Sequence, residues 1–229
     1  MKSKIRNWIV DVAFASMILP VPAVLAEAPE GTRAIEQDWR VELYSVPQDG
    51  RLTSPLFVSS FSIPGVEALF QCTWNHRDIP ILEEGGIQVQ AYKWGDLIDD
   101  REVLTPPWRE KLSNTNEVVT WTQRLHISGW SYVFTVKNIV GTTWGTISGP
   151  YTVQRRFLFW APPLEGYSYQ EIADNSGIIM GSNRFKRLAI SQTRFYDQHG
   201  TLLLRDPQEK VLFSQPESYE YFEFKRLSE

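Results

Sequence analysis

Apolar and polar side chains alternate along much of this chain with a period of two residues. Between residues 66 and 74, apolar side chains are separated by the polar residues Glu67, Gln71 and Thr73. Similar alternation recurs in the runs 39–43, 87–91, 119–127, 130–136, 151–159, 188–190 and 221–225. Because successive side chains of a strand point to opposite faces, the pattern predicts roughly nine or more strands, each with one buried face.

Turn-forming residues separate these runs, and helical signals are sparse. Gly129 lies between two aromatic-rich runs and predicts a tight hairpin, whereas only 108–112 and 169–173 could each form a turn or two of helix. One-sided alternation disfavours a parallel sheet that is buried on both faces. The predicted fold is therefore all-β: an antiparallel two-sheet β-sandwich or jelly-roll-like domain, with a closed barrel as the alternative.

The tryptophans divide into two groups according to this alternation. Four are in phase with apolar neighbours and are predicted to lie in the core: Trp39, Trp74, Trp121 and Trp130. Four are out of phase and are expected at strand ends or in loops: Trp94, Trp108, Trp144 and Trp160. Exposed indole rings can stack on sugar rings, but large aromatic side chains also close the ends of sandwiches. Trp144, beside Gly145, and Trp94 are the candidate ligand-binding tryptophans.

The residue types at the N-terminus follow the order found in a secretory signal peptide. Three basic residues lie within 2–6, an apolar run covers 12–19, and Ala-Val-Leu-Ala at 23–26 supplies small residues for cleavage after Ala26. The apolar run is too short for a membrane-spanning helix, which needs about 20 residues. We therefore expect a signal peptide over 1–26, a mobile polar leader over 27–37 and a single domain over 38–229, exported to the periplasm or outside the cell.

Charge and cysteine content limit the classes of partner. Cleavage would change the basic count from 23 to 20 and the acidic count from 27 to 26, so the net charge would change from −4 to −6. A mildly acidic protein is a poor match for nucleic acid or anionic lipid as the main partner, because both need a positive field. Cys72 is the only cysteine and is expected to be a buried structural thiol, with no intrachain disulfide. No cofactor is expected.

A polar cluster follows the strand that ends at Trp74. Asn75 and His76, followed by Arg77 and Asp78, could contact a ligand at a strand end. The alternative is a loop in which these side chains cap the backbone. No serine or cysteine nucleophile can be assigned to His76 by spacing, so the sequence indicates no catalytic triad.

Clusters of carboxylates give two further hypotheses. Asp96, Asp99 and Asp100 could hold calcium through oxygen ligands, but the EF-hand ligand order is absent, and a solvated acidic loop is the alternative. Paired carboxylates could hydrolyse glycosides, and the acidic residues placed on predicted strands are Glu42, Glu67, Glu220 and Glu223. Neither a G-x-S-x-G motif nor a phosphate-binding glycine motif is present, so no catalytic residue is assigned.

Several short segments together resemble a family of exported bacterial β-rich proteins of unassigned function. They are Asn75-His76-Arg77, the Gly-Gly-Ile-Gln-Val-Gln run at 85–90, Thr-Thr-Trp-Gly at 142–145, Asn-Ser-Gly at 175–177, Gly181, Asn183-Arg184 and Arg194-Phe195-Tyr196. The resemblance implies a single exported β domain and carries no activity or site.

These observations support three hypotheses of function. The first is a non-catalytic exported β-sandwich that binds a ligand, with a polysaccharide as the best candidate. The second is a structural or assembly protein of the cell envelope, whose partner is another envelope protein. The third is a hydrolase that uses a pair of carboxylates in a groove.

Overall fold

The computed structural model describes residues 27–44, 55–63, 66–74, 87–93, 95–103, 116–142, 145–147, 149–180 and 184–215. These residues form thirteen strands and one helix. The elements are β1 (Ala34–Leu43), β2 (Leu56–Ile63), β3 (Val66–Trp74), β4 (Ile87–Lys93), β5 (Asp96–Val103), β6 (Glu117–Ser128), β7 (Ser131–Gly141), β8 (Gly145–Ile147), β9 (Tyr151–Arg156), α1 (Tyr169–Asn175), β10 (Gly177–Met180), β11 (Phe185–Tyr196), β12 (Leu202–Asp206) and β13 (Lys210–Ser214). The helix falls where the sequence predicted one, and no described helix has the length and apolar character needed to cross a bilayer.

The strands form two antiparallel sheets. The larger has eight strands in the order β12-β11-β1-β6-β7-β8, with β13 also beside β11 and β9 beside β7. The smaller has five strands in the order β10-β2-β3-β4-β5. Strand β1 lies between β6 and β11 and pairs with both along its whole length. The predicted antiparallel two-sheet sandwich is confirmed.

Aromatic side chains from both sheets fill the space between them. Trp121 of the larger sheet contacts Trp74 of the smaller, with ring centroids 4.7 Å apart, and Trp39 stacks on Trp121 at 5.7 Å. Phe57 stacks on Trp74 at 5.4 Å. All four rings are almost completely buried, which confirms the core positions predicted for Trp39, Trp74 and Trp121. Large apolar areas removed from water in this way supply the main stabilisation of the fold.

Cys72 lies in the same core and is fully buried, as predicted. Burial raises the pKa of its thiol well above the usual value, against a smaller opposing effect of the hydrogen bond with Ser59. A thiol held in its neutral form is a poor nucleophile, so Cys72 contributes to packing rather than to chemistry.

The prediction of a mobile leader over 27–37 is wrong. Residues 34–37 form the start of β1, in the middle of the larger sheet, and Ile35 and Gln37 are buried. Ala28 is also fixed, because its N–H donates to the carbonyl oxygen of Tyr167 at 2.9 Å. The mixed polar composition misled the prediction because Glu36 and Asp38 face the outside of the sheet, where cations of neighbouring strands bind them.

Two aromatic residues assigned to buried faces are exposed instead. Trp130 occupies the turn between β6 and β7, where no sheet covers it, and is 53% exposed. Phe159 continues the alternation of β9 in the sequence, but β9 ends at Arg156 and the chain leaves the sheet, so Phe159 is 80% exposed. In both cases the prediction continued the two-residue alternation past the end of a strand.

Candidate functional site

The β6–β7 turn and the chain after β9 meet at one end of the larger sheet. Ser128 pairs with Ser131, which leaves Gly129 and Trp130 as the turn residues. Gly129 has a φ of 57°, a backbone conformation that glycine adopts without strain. The N–H of Phe157 donates to the carbonyl oxygen of Trp130 at 2.8 Å, which fixes the turn beside the end of β9. The predicted tight hairpin at Gly129 is therefore confirmed.

A shallow depression beside this turn combines one aromatic ring with several polar side chains. It has a volume of about 440 Å³ and is lined by Gly129, Trp130, Ser131, Gln154 and Arg156; we call it the Trp130 groove. The guanidinium carbon of Arg156 lies 5.9 Å from the centroid of the Trp130 ring, within cation–π range. The groove thus offers an indole surface together with amide, hydroxyl and guanidinium groups.

The backbone next to the groove is held by an aspartate of the smaller sheet. The N–H of Gln154 donates to Oδ2 of Asp99 at 2.8 Å, and Oδ1 of Asp99 accepts a hydrogen bond from Arg101 at 3.0 Å. The Asp99 carboxylate thus binds the backbone of β9 and connects β5 of the smaller sheet to β9 of the larger sheet. Asp99 therefore has a structural role at the border of the groove.

The same finding bears on the calcium hypothesis. Asp96, Asp99 and Asp100 lie on strand β5 rather than in a loop, and Asp99 is engaged by Gln154 and Arg101. Among the described residues, no group of three or more His, Cys, Asp or Glu side chains is placed to hold a metal ion.

Three consecutive apolar residues project next to the groove. Leu158, Phe159 and Trp160 are 85%, 80% and 64% exposed, and we call them the 158–160 tip. The position outside a strand expected for Trp160 from its phase in the sequence is confirmed. Isolated exposed apolar side chains are common, but a run of three with this exposure is a candidate contact surface.

The tip is fixed at both of its ends, and Tyr132 contacts both sides. The Tyr132 ring meets the Phe157 ring edge-on with centroids 5.0 Å apart, and its hydroxyl donates to the carbonyl oxygen of Pro162 at 2.9 Å. Burial raises the pKa of Tyr132 well above its ordinary value, although the charges of Arg155 and Arg33 oppose this change. The phenol therefore remains a hydrogen-bond donor over the physiological pH range.

Further contacts continue this anchoring on the C-terminal side of the tip. Ala161 and Leu164 are buried. The N–H of Leu164 donates to the carbonyl oxygen of Thr32 at 3.3 Å, and the N–H of Gly166 donates to that of Ala28 at 3.0 Å. The tip is therefore a short exposed segment between two well-packed ones.

A second polar region lies on the outer face of the larger sheet, centred on Glu36. A carboxylate oxygen of Glu36 lies 2.7 Å from Nζ of Lys137, and the other lies 2.8 Å from the guanidinium of Arg194. Arg124 approaches at 3.4 Å. Asp38 accepts hydrogen bonds from the same Arg194 at 2.8 Å, from Thr122 at 2.9 Å and from Gln192. We call this set the Glu36 network.

The cations of this network control the ionisation of Glu36. Burial alone would raise the pKa of Glu36, but the hydrogen bond and charge of Lys137, together with the charges of Arg194 and Arg124, outweigh it and lower the pKa. The general acid of a glycosidase needs the opposite shift, a pKa raised so that the carboxyl stays protonated. Glu36 therefore has the properties of a structural carboxylate, and Asp38 is bound by three hydrogen-bond donors of neighbouring strands.

Of the four acidic residues singled out from the sequence, Glu42 alone has a described side chain. Glu42 lies on the outer face of β1 and pairs with Arg40 at 2.9 Å. Glu67 is on β3, but its side chain lies outside the described part, as do Glu220 and Glu223.

His126 lies near the same network, on β6. Its pKa is lowered by burial and by the positive charges of Arg124 and Lys137. Its Nδ1 is buried and has no hydrogen-bond partner within the described residues. The lowered pKa means that His126 takes up a proton at a lower pH in the folded protein than in the unfolded chain, so its protonation affects the stability of the sheet.

All four ligand-binding residues predicted from sequence fall outside the described residues: Asn75, His76, Trp94 and Trp144. Trp108 does as well. The structure instead brings together Trp130, which the sequence assigned to the core, with Gln154 and Arg156. The turn signal at Gly129 was the clue, because the residue after it had to lie in the turn rather than in the strand.

Comparison of this chain with models of protein families, with curated proteins and with solved structures gave no match. Function must therefore be inferred from the geometry of the chain itself.

Proposed function

We propose that this chain is an exported, non-catalytic β-sandwich protein that binds polysaccharide through the Trp130 groove. The observation that carries the proposal is the exposed indole ring of Trp130 in a depression lined by hydrogen-bonding side chains. The groove is formed by backbone that is fixed from both sides, by the β6–β7 pairing and by the Asp99 contact to Gln154.

The chemistry of a sugar matches this combination of groups. A pyranose ring has an apolar C–H face and a rim of hydroxyls, so it is recognised by an aromatic ring with polar groups around it. Trp130 supplies the ring, while Ser131, Gln154 and Arg156 supply donors and acceptors for the hydroxyls. An open groove of this kind suits a chain of sugars better than a small molecule, which is usually enclosed.

The N-terminal sequence supports the proposal of export. Its order of basic, apolar and small residues is that of a cleaved signal peptide. Ala28, two residues after the proposed cleavage site at Ala26, donates a backbone hydrogen bond to Tyr167 and so belongs to the domain that cleavage would leave.

Titration of the mature chain with soluble oligosaccharides, followed by intrinsic tryptophan fluorescence, tests the proposal. We expect a saturable change in emission with one class of oligosaccharide, and a loss of affinity of about tenfold or more in Trp130→Ala, since base-stacking aromatic contacts in other systems are worth ~1–3 kcal/mol. Trp130→Phe keeps an aromatic face and should retain most of the affinity. Urea unfolding of both variants controls for loss of fold.

Two outcomes would contradict the proposal. One is a flat response across neutral and acidic oligosaccharides. The other is unchanged affinity in Trp130→Ala; if affinity were lost instead in Trp144→Ala, the site would move to the loop that the sequence analysis selected.

The second candidate function, assembly with an envelope protein, is favoured by strand β12. This strand is at one end of the larger sheet, and its residues Leu202, Leu203 and Leu204 are 48%, 41% and 36% exposed. An apolar edge strand is a template for pairing with another chain. Light scattering over a range of concentrations tests the form of this function in which the partner is a second copy of the chain. Assembly of this kind predicts a mass that rises with concentration and returns to that of a monomer in Leu203→Lys.

A further inference from the structure

The 158–160 tip is a separate surface from the Trp130 groove and calls for a different ligand. Leu158, Phe159 and Trp160 present three apolar side chains in a row, without polar groups between them. Leucine has no flat face for stacking on a sugar, so the groove's proposed ligand does not account for its exposure. We propose that the tip inserts into the headgroup region of a lipid bilayer whose surface carries anionic lipid.

The residue types of the tip fit the membrane interface. Tryptophan is enriched at the headgroup level, where its ring is amphipathic, and phenylalanine and leucine enter the adjoining acyl region. A short projecting segment needs to penetrate only ~5–10 Å to bury such side chains, which is the depth at which interfacial elements lie. A spanning helix is not required for this mode of attachment.

The charge around the tip complements an anionic surface. Residues 118–164 contain no aspartate or glutamate and four basic residues, although the mature chain expected after cleavage has a net charge of −6. Asp99 lies beside this stretch, but it is paired with Arg101. Two of the four, Arg124 and Lys137, pair with Glu36. Arg156 is exposed beside the Trp130 ring, two residues before the tip. Since charges are screened beyond ~8 Å at physiological ionic strength, this local sign matters more to a membrane than the net charge.

The anchoring of the tip also favours insertion. Tyr132 holds Phe157 on one side and Pro162 on the other, so the apolar side chains are presented before any contact is made. A binding segment that is already ordered avoids most of the conformational entropy that a disordered one loses on binding.

Vesicle co-sedimentation of the mature chain tests the inference. The probes are vesicles of phosphatidylcholine alone and of phosphatidylcholine mixed with phosphatidylglycerol. We expect the chain to partition into the mixed vesicles, and the double variant Leu158→Ser/Phe159→Ser to partition at least about tenfold less, since each side chain buried is worth ~1.5–3 kcal/mol. Val211→Ser, at an exposed apolar residue of β13, is the matched control and should leave partitioning unchanged.

Arg156→Gln sharpens the electrostatic part of the inference. One cation near the surface contributes about 1 kcal/mol, so this variant should lose about fivefold in the mixed vesicles and little in phosphatidylcholine alone. Brominated lipids should quench part of the emission of the bound chain, and Trp160→Phe should remove most of that quenching.

The inference and the proposed function can fail separately. Leu158→Ser/Phe159→Ser should keep its affinity for oligosaccharide, and Trp130→Ala should keep its partitioning into vesicles. Absence of partitioning into either vesicle would overturn the inference, as would equal partitioning of the double variant. It would also be overturned if the double variant abolished self-association instead, because the occupant of the tip would then be a second copy of this chain.

Discussion

The Glu36 network and the 158–160 tip belong to the same sheet and its connections. They differ in whether their side chains find partners within the domain. In the network, Glu36 directly opposes Arg194 on one neighbouring strand and Arg124 on the other. Its charges are therefore neutralised within the fold. In the tip, the chain is firmly held but Leu158 and Phe159 remain more than three-quarters exposed. The charged groups of the network bind one another within the domain, whereas the apolar side chains of the tip are exposed to contact with another molecule.

This difference indicates where function should be sought. A cluster of charged residues on a sheet resembles an active site when only residue types are considered. Here, however, Glu36 directly opposes Arg194 and Arg124, and Asp38 shares Arg194 with it. Cross-strand pairs of opposite charge stabilise a sheet and need no ligand. Exposed apolar side chains do not stabilise the fold that presents them, so contact with a partner outside the domain better explains why they are there.

The comparison predicts first that Glu36→Gln is strongly destabilising. The substitution removes the charge that Lys137 and Arg124 share and leaves Arg194 with Asp38 alone. Removal of one partner of a buried ion pair costs ~3–5 kcal/mol. Because Glu36 keeps a small exposed fraction, we expect about 3 kcal/mol, measured by urea unfolding. Arg40→Gln is the control: the Arg40 side chain is 43% exposed, and its loss should cost no more than about 0.5 kcal/mol.

The pH dependence of stability sharpens this prediction. The pKa of Glu36 is lower in the folded protein than its ordinary value of 4.5, so the unfolded chain binds more protons between the two values. The stabilisation is therefore complete above pH 4.5 and is lost as the pH falls toward the folded pKa. Glu36→Gln should lack this component. A variant that loses stability on acidification as steeply as the wild type would show that the network is not its source.

The second prediction concerns the anchor of the tip. Tyr132→Phe keeps the ring contact with Phe157 but removes the hydrogen bond to the carbonyl oxygen of Pro162. We expect a loss of about 1 kcal/mol in the free energy of unfolding, together with faster chymotryptic cleavage within the tip. Tyr151→Phe, at a partly buried residue of β9, is the matched control. Equal cleavage rates in both variants would mean that the Pro162 contact does not hold the tip.

The core of this fold was more predictable from the sequence than its surface sites, for a physical reason. The alternation that placed Trp39, Trp74 and Trp121 in the core depends on the pleat of each strand alone. The Glu36 network depends on register between β1, β6 and β11, which are far apart in the sequence. Alternation within one strand contains no information about its partners, so these ion pairs could not be predicted.

Strand ends explain the remaining errors. Trp130 and Phe159 were assigned from a period of two that the chain abandons at the Gly129 turn and after Arg156. The glycine signalled the turn, but its exact position decides whether the next residue is buried or exposed. The leader over 27–37 failed for a related reason: outward-facing Glu36 and Asp38 made the start of β1 resemble a solvated segment.

The third prediction uses His126, at the border of the network. Its folded pKa is lowered from 6.5, so the unfolded chain takes up a proton before the folded chain does as the pH falls. Stability should therefore decline as the pH falls from about 6.5 toward the folded pKa, by less than the effect of Tyr132→Phe, since His126 is partly exposed to water. In His126→Gln, the urea concentration at the midpoint of unfolding should change less with pH between about pH 7.5 and pH 5.5. An unchanged slope in this variant would assign the decline to another group.

The smallest effect is expected at the tip itself, and it is the most informative about the comparison. Phe159→Ser removes a side chain that is 80% exposed in the folded protein, so the folded and unfolded states lose nearly the same contact with water. The free energy of unfolding should change by less than about 0.5 kcal/mol, whereas Phe134→Ala, in the core of the same sheet, should cost ~3–5 kcal/mol. If Phe159→Ser instead cost more than about 1 kcal/mol, the ring would have to be packed in the folded domain. The tip would then make its contacts within the domain, as the Glu36 network does, and the argument for its insertion into a membrane would be lost.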